Sequence, residues 1–351
     1  PLSGSGQELE GALAVIEPPR ARVWQRNLVG ITLVSGLNSL ATGFLLPVLP
    51  IHIKELGVSA VTLGLMFAAS SAASAVGEFF WGFASDRVGT RAPLVASLVM
   101  MALVFLGFAF TASQPLLYLL FLGRGFSFAA MMPISRGFVG ANIPARNRAT
   151  ILGAQGSARL GARSVSVLAG GFLADALGFS SVFYASAGVA LTTAAVTLAL
   201  VTAPAHSASR AVAEAGPPPA RGREPWRSLP FMYLGTMALV TFLFFVARGM
   251  TMTFFPVYAK EVGGMSAGQV GVILTAASVA GTFFMWSMGW LSDRLGALRI
   301  MLLGLATMAL FTAVQGLGSS YVYLLLVSCA GWASVSTFMP AGSALFTQTI
   351  P

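Results

Sequence analysis

The chain has 351 residues, 56% of them hydrophobic and only 9% charged, with 20 lysines and arginines against 11 acids; its mean hydropathy is +0.82. So apolar a composition excludes a water-soluble domain and reads as an integral membrane protein. The single cysteine, Cys329, and the two distant histidines, His52 and His206, exclude a disulfide framework within the chain and a cysteine-built or histidine-pair metal site.

A helix needs about 20 mostly apolar residues to cross a hydrocarbon core of roughly 30 Å. Ten stretches qualify, at 27–52, 59–82, 93–112, 115–139, 150–173, 180–202, 231–257, 267–290, 299–316 and 320–343. Period-two alternation is missing, so a membrane barrel is set aside for an all-α, polytopic helical bundle. Residues 1–26 lack the basic-then-apolar layout of a signal peptide and read as a cytoplasmic N-terminal segment. Residues 27–202 carry six spans. Residues 203–228, rich in Pro, Ala, Gly and Arg, have no apolar helical face and read as a flexible cytoplasmic linker. Residues 229–351 carry four spans.

The basic excess is explained by topology. With a cytoplasmic N-terminus, Arg20, Arg22, Arg26, Arg87, Arg91, Arg146, Arg148, Arg210, Arg221, Arg223, Arg227, Arg294 and Arg299 lie inside, and only Lys54 and Lys260 lie outside. That bias fixes the orientation by the positive-inside rule and removes any need for a nucleic-acid partner. The partner expected is the lipid bilayer, with the protein acting as a monomer in the plasma membrane.

An internal repeat organises the chain. Gly82, Ser85, Asp86, Arg87 and Gly89 recur 207 residues later as Gly289, Ser292, Asp293, Arg294 and Gly296. Met132-Pro133 recurs as Met339-Pro340, and PIHIKELG (Pro50 to Gly57) matches PVYAKEVG (Pro256 to Gly263). The only two lysines, Lys54 and Lys260, are repeat mates. The mates of 150–202 would fall beyond residue 351, which predicts that two helices and a tail are missing. The start at Pro1 rather than Met likewise predicts a missing or processed beginning.

GFASDRVGTR, residues Gly82 to Arg91, with its weaker copy GWLSDRLGALR at Gly289 to Arg299, resembles the signature cytoplasmic loop of the major facilitator superfamily. GFLLPVLP in the first span is similar to the first helix of that family's drug-efflux branch, and LFLGRGF resembles its fourth-helix arginine motif, with Arg124 in the arginine position. The resemblance covers the whole chain. It implies two pseudo-symmetric bundles, a substrate site between them and alternating access, with protons as the expected coupling ion. It also implies that Asp293 faces the start of the fifth span near Arg146 to Thr150. Anchored on Gly170-Gly171, the fifth span keeps Gly153 but has Ala162, Ser166 and Val167 where the family's antiporters carry Gly, Gly and Pro, which leaves transport direction open.

Physical chemistry gives the loop residues separate roles. Gly82 lets neighbouring helices approach, and Gly89 permits a positive φ. Asp86 is expected to accept from Arg87 or Arg91, or to sit against the positive end of a facing helix. Gly82, Asp86, Arg87, Gly89 and Arg91, with Gly289, Asp293, Arg294, Gly296 and Arg299, are the expected cytoplasmic latch.

Charges within the spans are costly facing lipid, about 2.5–3.5 kcal/mol each on insertion scales, so they should turn inward. Glu78 is the carboxylate in the spans' interiors, and Met285 holds its repeat position. It reads either as an ion-pair partner of Arg124 or Arg159, or as a proton carrier. Arg159 and Arg163, four apart, share one face of the fifth span. Arg248, on the seventh, is placed to join Arg163 in gripping an anion from both bundles. Asn38 is a candidate hydrogen-bonding contact in the substrate cavity. Trp286, Trp290 and Trp332 read as packing or interface residues.

No nucleotide-binding loop is present; GLGSS at Gly316 lacks the lysine. The spans hold no paired carboxylates or nucleophile-base set, so an enzyme is not expected, and neither is a cofactor. The reading is a secondary transporter of a small-molecule substrate: a drug exporter or an importer of organic anions, with a transport-dead receptor as the third possibility.

Overall fold

The computed structural model describes residues 19–142, 145–201 and 231–349. Side chains at 141–150, 285–290, 292–293 and 339–349 lie outside the description, as does the linker 203–228. Every element among the described residues is helical. Among the described residues nine helices are long and apolar enough to cross a membrane, and the apolar stretch Tyr321–Val335 supplies the tenth expected span.

Two expected spans are broken, and proline explains both. The first runs as Pro19–Gly43 and Leu45–Glu55, interrupted at Phe44. Pro47 has no N–H for the Gly43 carbonyl, so the helical ladder fails there. The fourth runs as Gln114–Phe128 and Met131–Asn142, and Pro133 cannot donate to the Ala129 carbonyl in the same way. By contrast the fifth span is one helix of 33 residues, Ala145–Leu177, as the absence of an internal proline allows.

Repeat mates share local geometry. The second and eighth spans, Ala60–Val88 and Ala267–Leu295, each have 29 residues. Gly57 and Gly264 precede them with φ of 81° and 64°, and Gly89 and Gly296 follow with φ of 84° and 93°, a region that Cβ-bearing residues avoid. Ser59 and Ser266 cap these two helices, their hydroxyls accepting from the backbone N–H of Thr62 (3.1 Å) and Gln269 (3.2 Å).

Packing follows membrane rules, in which small residues let backbones meet. A Cβ on Gly125 would lie 1.8 Å from the Ser70 carbonyl oxygen, and one on Gly171 would lie 2.5 Å from that of Ala267. Around such contacts Phe105, Phe108, Phe121 and Phe183, all at 1% exposure or less, join the third, fourth and sixth spans. Phe244 of the seventh span stacks on Phe338 of the tenth at 3.9 Å between ring centroids. Leu103, Phe110, Leu119, Phe283, Leu310 and Leu326 are exposed on the outside, an apolar surface suited to acyl chains.

Candidate functional site

A cavity of about 680 Å³ lies between the first, second, fourth, fifth and seventh spans. The first span contributes Leu45, Leu46, Leu49 and Pro50 from just past its break, and the second contributes Gly64, Phe67, Ala68 and Ser71. The seventh span lines the opposite wall with Phe242, Phe245, Met250 and Phe254. Two cations enter from the fourth and fifth spans, Arg124 and Arg163.

Local packing sets the position of Arg124. Gly125 beside it lies directly on the Ser70 backbone, which brings the Arg124 Nη1 to donate to Ser70 Oγ at 3.3 Å. Its guanidinium also lies 5.7 Å from the Phe67 ring centroid. Arg163 repels both Arg124 and Arg248. No carboxylate lines this cavity among the described residues.

The polar face of the fifth span continues at intervals of four. Gln155, Arg159 and Arg163 form a stripe but engage different neighbours. Gln155, 1% exposed, accepts from Ser135 Oγ at 2.8 Å and donates from Nε2 to Thr32 Oγ1 at 3.4 Å, tying the fourth, fifth and first spans together. Arg159 turns its Nη1 to the Met132 sulfur at 2.8 Å. Only Arg163 of the three reaches the cavity.

The two ends of the bundle differ. At the end carrying Lys54 and Lys260, the lysine end, the two helix groups are joined. Lys54 pairs with Glu261 at 3.5 Å, and Lys260 pairs with Glu55, so each Lys-Glu repeat unit bonds to the other copy. Alongside, the Asp175 carboxylate, in the last turn of the fifth span, accepts from the backbone N–H of Ala267 (3.0 Å) and Gly268 (2.9 Å). It thereby caps the first turn of the eighth span and meets the positive end of that helix. A Cβ on Gly268 would sit 2.6 Å from Asp175 Oδ2 and push the carboxylate aside. A little deeper, Thr275 Oγ1 donates to the Ser164 carbonyl at 3.2 Å.

At the opposite, arginine end, Asp86 is exposed. Arg87 lies over the Phe83 ring, 4.1 Å from its centroid, and Arg91 donates to the Leu198 carbonyl at the end of the sixth span.

A family model described as Major Facilitator Superfamily matches residues 31–349. The chain belongs to the Major Facilitator Superfamily. Its similar relatives include "Multidrug resistance protein MdtG" of Proteus mirabilis (strain HI4320), 25% identical over 86% of this chain and 76% of the relative. The MdtG of Klebsiella pneumoniae (strain 342) is 29% identical over 80% of this chain and 69% of that one. Superfamily folds solved by crystallography superpose well. Nucleoside transporter NupG matches with a TM-score of 0.68 at 14% identity, over 92% of this chain and 82% of NupG. A bacterial homologue of the human lysosomal transporter Spinster, inward-facing and unoccupied, also gives 0.68 at 16% identity, over 94% and 76%. A D-xylose-proton symporter gives 0.65 at 17% identity, over 92% and 83%.

Against this superfamily fold several sequence expectations need correction. Glu78 makes no ion pair with Arg124 or Arg159 and is exposed. Arg124 is held at the level of Ser70, eight residues or roughly 12 Å up the same helix, and Arg159 is held by Met132. Helical spacing nonetheless puts Glu78 on the face of Gly64, Phe67 and Ser71, seven residues beyond Ser71. Arg248 does not join Arg163 in the cavity. It stacks 4.1 Å above Trp332 in a small void of about 40 Å³ beside Gln315 and Ser328, so Trp332 is a cation platform rather than only a packing residue. Asn38 is buried at 5% exposure and does not line the central cavity.

Gly82 is not a close-contact glycine, since a Cβ there would lie 3.7 Å from Pro133; Gly77 and Gly125 hold that helix against the fourth span instead. Asp86 accepts from neither Arg87 nor Arg91 in this state. Gly89 and Gly296 have the positive φ expected of them, and Arg294 and Arg299 are exposed. Gly289, Asp293, Trp286, Trp290 and the Arg146 to Thr150 region lie outside the described side chains.

Sequence reasoning missed Gln155, Asp175 and the Lys-Glu cross-pairs. Asp175 carried a signal: a carboxylate in a helix's last turn opposes its own dipole and so implies a positive group facing it.

Proposed function

We propose that this superfamily member is a secondary transporter moving a small molecule through the central cavity by alternating access, coupled to protons. In this reading residues 27–202 and 229–351 move as two bodies linked through 203–228. The N-terminus, linker and arginine end face the cytoplasm, and one chain in the cell membrane is the working unit. The observation carrying the reading is a cavity walled by both helix groups and bonded shut at the lysine end. Alternating access requires those bonds to break when the arginine end closes, and Asp86, Arg87, Arg91 and their mates then form the latch.

Glu78 is assigned the proton. It lies on the cavity-side face of the second span with no described partner, free to exchange with water. Export is the direction assigned, supported by relatives that are named multidrug resistance proteins.

The test is flux through the full chain in proteoliposomes. A pH gradient should drive substrate movement, and Glu78→Gln should abolish the gradient's effect while leaving substrate exchange without a gradient. Flux indifferent to pH in the wild type would remove the proton from the scheme.

A further inference from the structure

Resting on the transport reading, we infer that the substrate is an amphipathic organic anion: an apolar, aromatic-sized body bearing a carboxylate, sulfonate or phosphonate. Three observations converge on this. The cavity's charge is one-sided, with Arg124 and Arg163 among its described lining residues and no carboxylate. Among the described residues, Arg163 has no hydrogen bond or ion pair from its guanidinium, and Arg124 has only the Ser70 hydroxyl at 3.3 Å and the Phe67 face. Two like-charged guanidiniums in a membrane interior are stabilised by an anion, and an oxyanion offering two or more oxygens suits the guanidinium fork. A cation entering the same space would add a third like charge.

The walls specify the rest of the molecule. Phe67, Phe242, Phe245 and Phe254 line the same cavity as the arginines, so an ion with only hydration to offer would leave that surface uncompensated. At about 680 Å³ the space falls in the range of pockets that bury drug-sized ligands. The charge comes from one helix group alone, whereas the apolar wall draws on both. Both arginines stand on the first, and three of the four phenylalanines on the second. A substrate with a charged head and an apolar body therefore bridges the groups, whereas a purely inorganic anion contacts one. That bridging gives binding a way to favour the closed arrangement over the open one.

The experiment uses the full chain in neutral phosphatidylcholine vesicles, where no lipid headgroup offers a net anion. Uptake of a naphthalene sulfonate is compared with that of a naphthyl trimethylammonium of the same ring system, and with sulfate. Saturable sulfonate uptake is expected, without uptake of the ammonium or sulfate. Arg163→Gln and Arg124→Gln should each lower sulfonate uptake at low concentration by about tenfold or more, with Arg163→Lys intermediate. Arg136→Gln, an exposed arginine outside the cavity, should leave it unchanged. Variants are compared only where thermal unfolding and gel filtration match wild type, and having two arginine variants guards against one misfolding.

Uptake of the ammonium but not the sulfonate overturns this inference and leaves the transport reading standing; uptake of neither, with a pH gradient applied, counts against both. Binding confined to an anionic lysophospholipid, with no sulfonate uptake, also overturns it, as does sulfonate uptake indifferent to both arginine substitutions.

Discussion

The lysine end and the arginine end of this bundle are built from the same repeated modules, yet among the described side chains the ion pairs that cross between the helix groups lie at the lysine end. At the lysine end, two reciprocal ion pairs and one helix cap cross between the helix groups. At the arginine end the most conspicuous motif in the sequence leaves Asp86 exposed, Arg87 on its own helix's Phe83 and Arg91 on the sixth span. A duplicated motif therefore need not be engaged in every state. The proposed alternating-access cycle leaves the Asp86 latch idle while the lysine end is bonded.

That contrast can be broken in graded ways, each read as the distance between spin labels across the lysine end. The largest effect belongs to Asp175→Ala. Losing a helix cap costs about 1 kcal/mol, so the ratio of closed to open lysine ends should fall roughly fivefold. Asp175→Asn, which keeps one acceptor, should lose less. Next comes Lys54→Glu, which places like charges opposite Glu261. Exposed pairs contribute about 0.2–1 kcal/mol, so a shift of up to about fivefold is expected, reversed in the Lys54→Glu, Glu261→Lys double variant and damped at high salt. The smallest belongs to Asp86→Asn, which should leave the lysine-end distance unchanged. Its effect should emerge only in turnover, where the arginine end must close. A wild-type flux in that variant would retire Asp86 as a latch residue.

The contrast also marks how far the sequence could be read. Ten apolar stretches and the repeat were legible because membrane crossing demands length and hydropathy, and because Gly57, Gly89, Gly264 and Gly296 sit where positive φ is needed. The breaks at Phe44 and at Ala129-Ala130 were legible in principle from Pro47 and Pro133, but prolines inside apolar runs are often tolerated, so the sequence alone does not say where a helix parts. Side-chain direction was the harder matter. Spacing put Arg159 and Arg163 on one face correctly, but a long side chain can turn towards either end of its helix, and Met132 drew one away from the cavity. Arg248 was drawn off by Trp332, a partner 84 residues away in sequence. The Lys-Glu cross-pairs were within reach. Identical KE units in two copies, related by a two-fold, pair reciprocally if they lie near the axis.

The most direct measurement locks the lysine end. Lys54→Cys with Glu261→Cys, in a Cys329→Ser background, is joined by a reducible bis-methanethiosulfonate linker and assayed in proteoliposomes. The account predicts that flux stops while the linker is intact and returns on reduction, with substrate still bound by the locked protein. Full flux through the linked protein would show that this end need not open, and would contradict alternating access through this cavity.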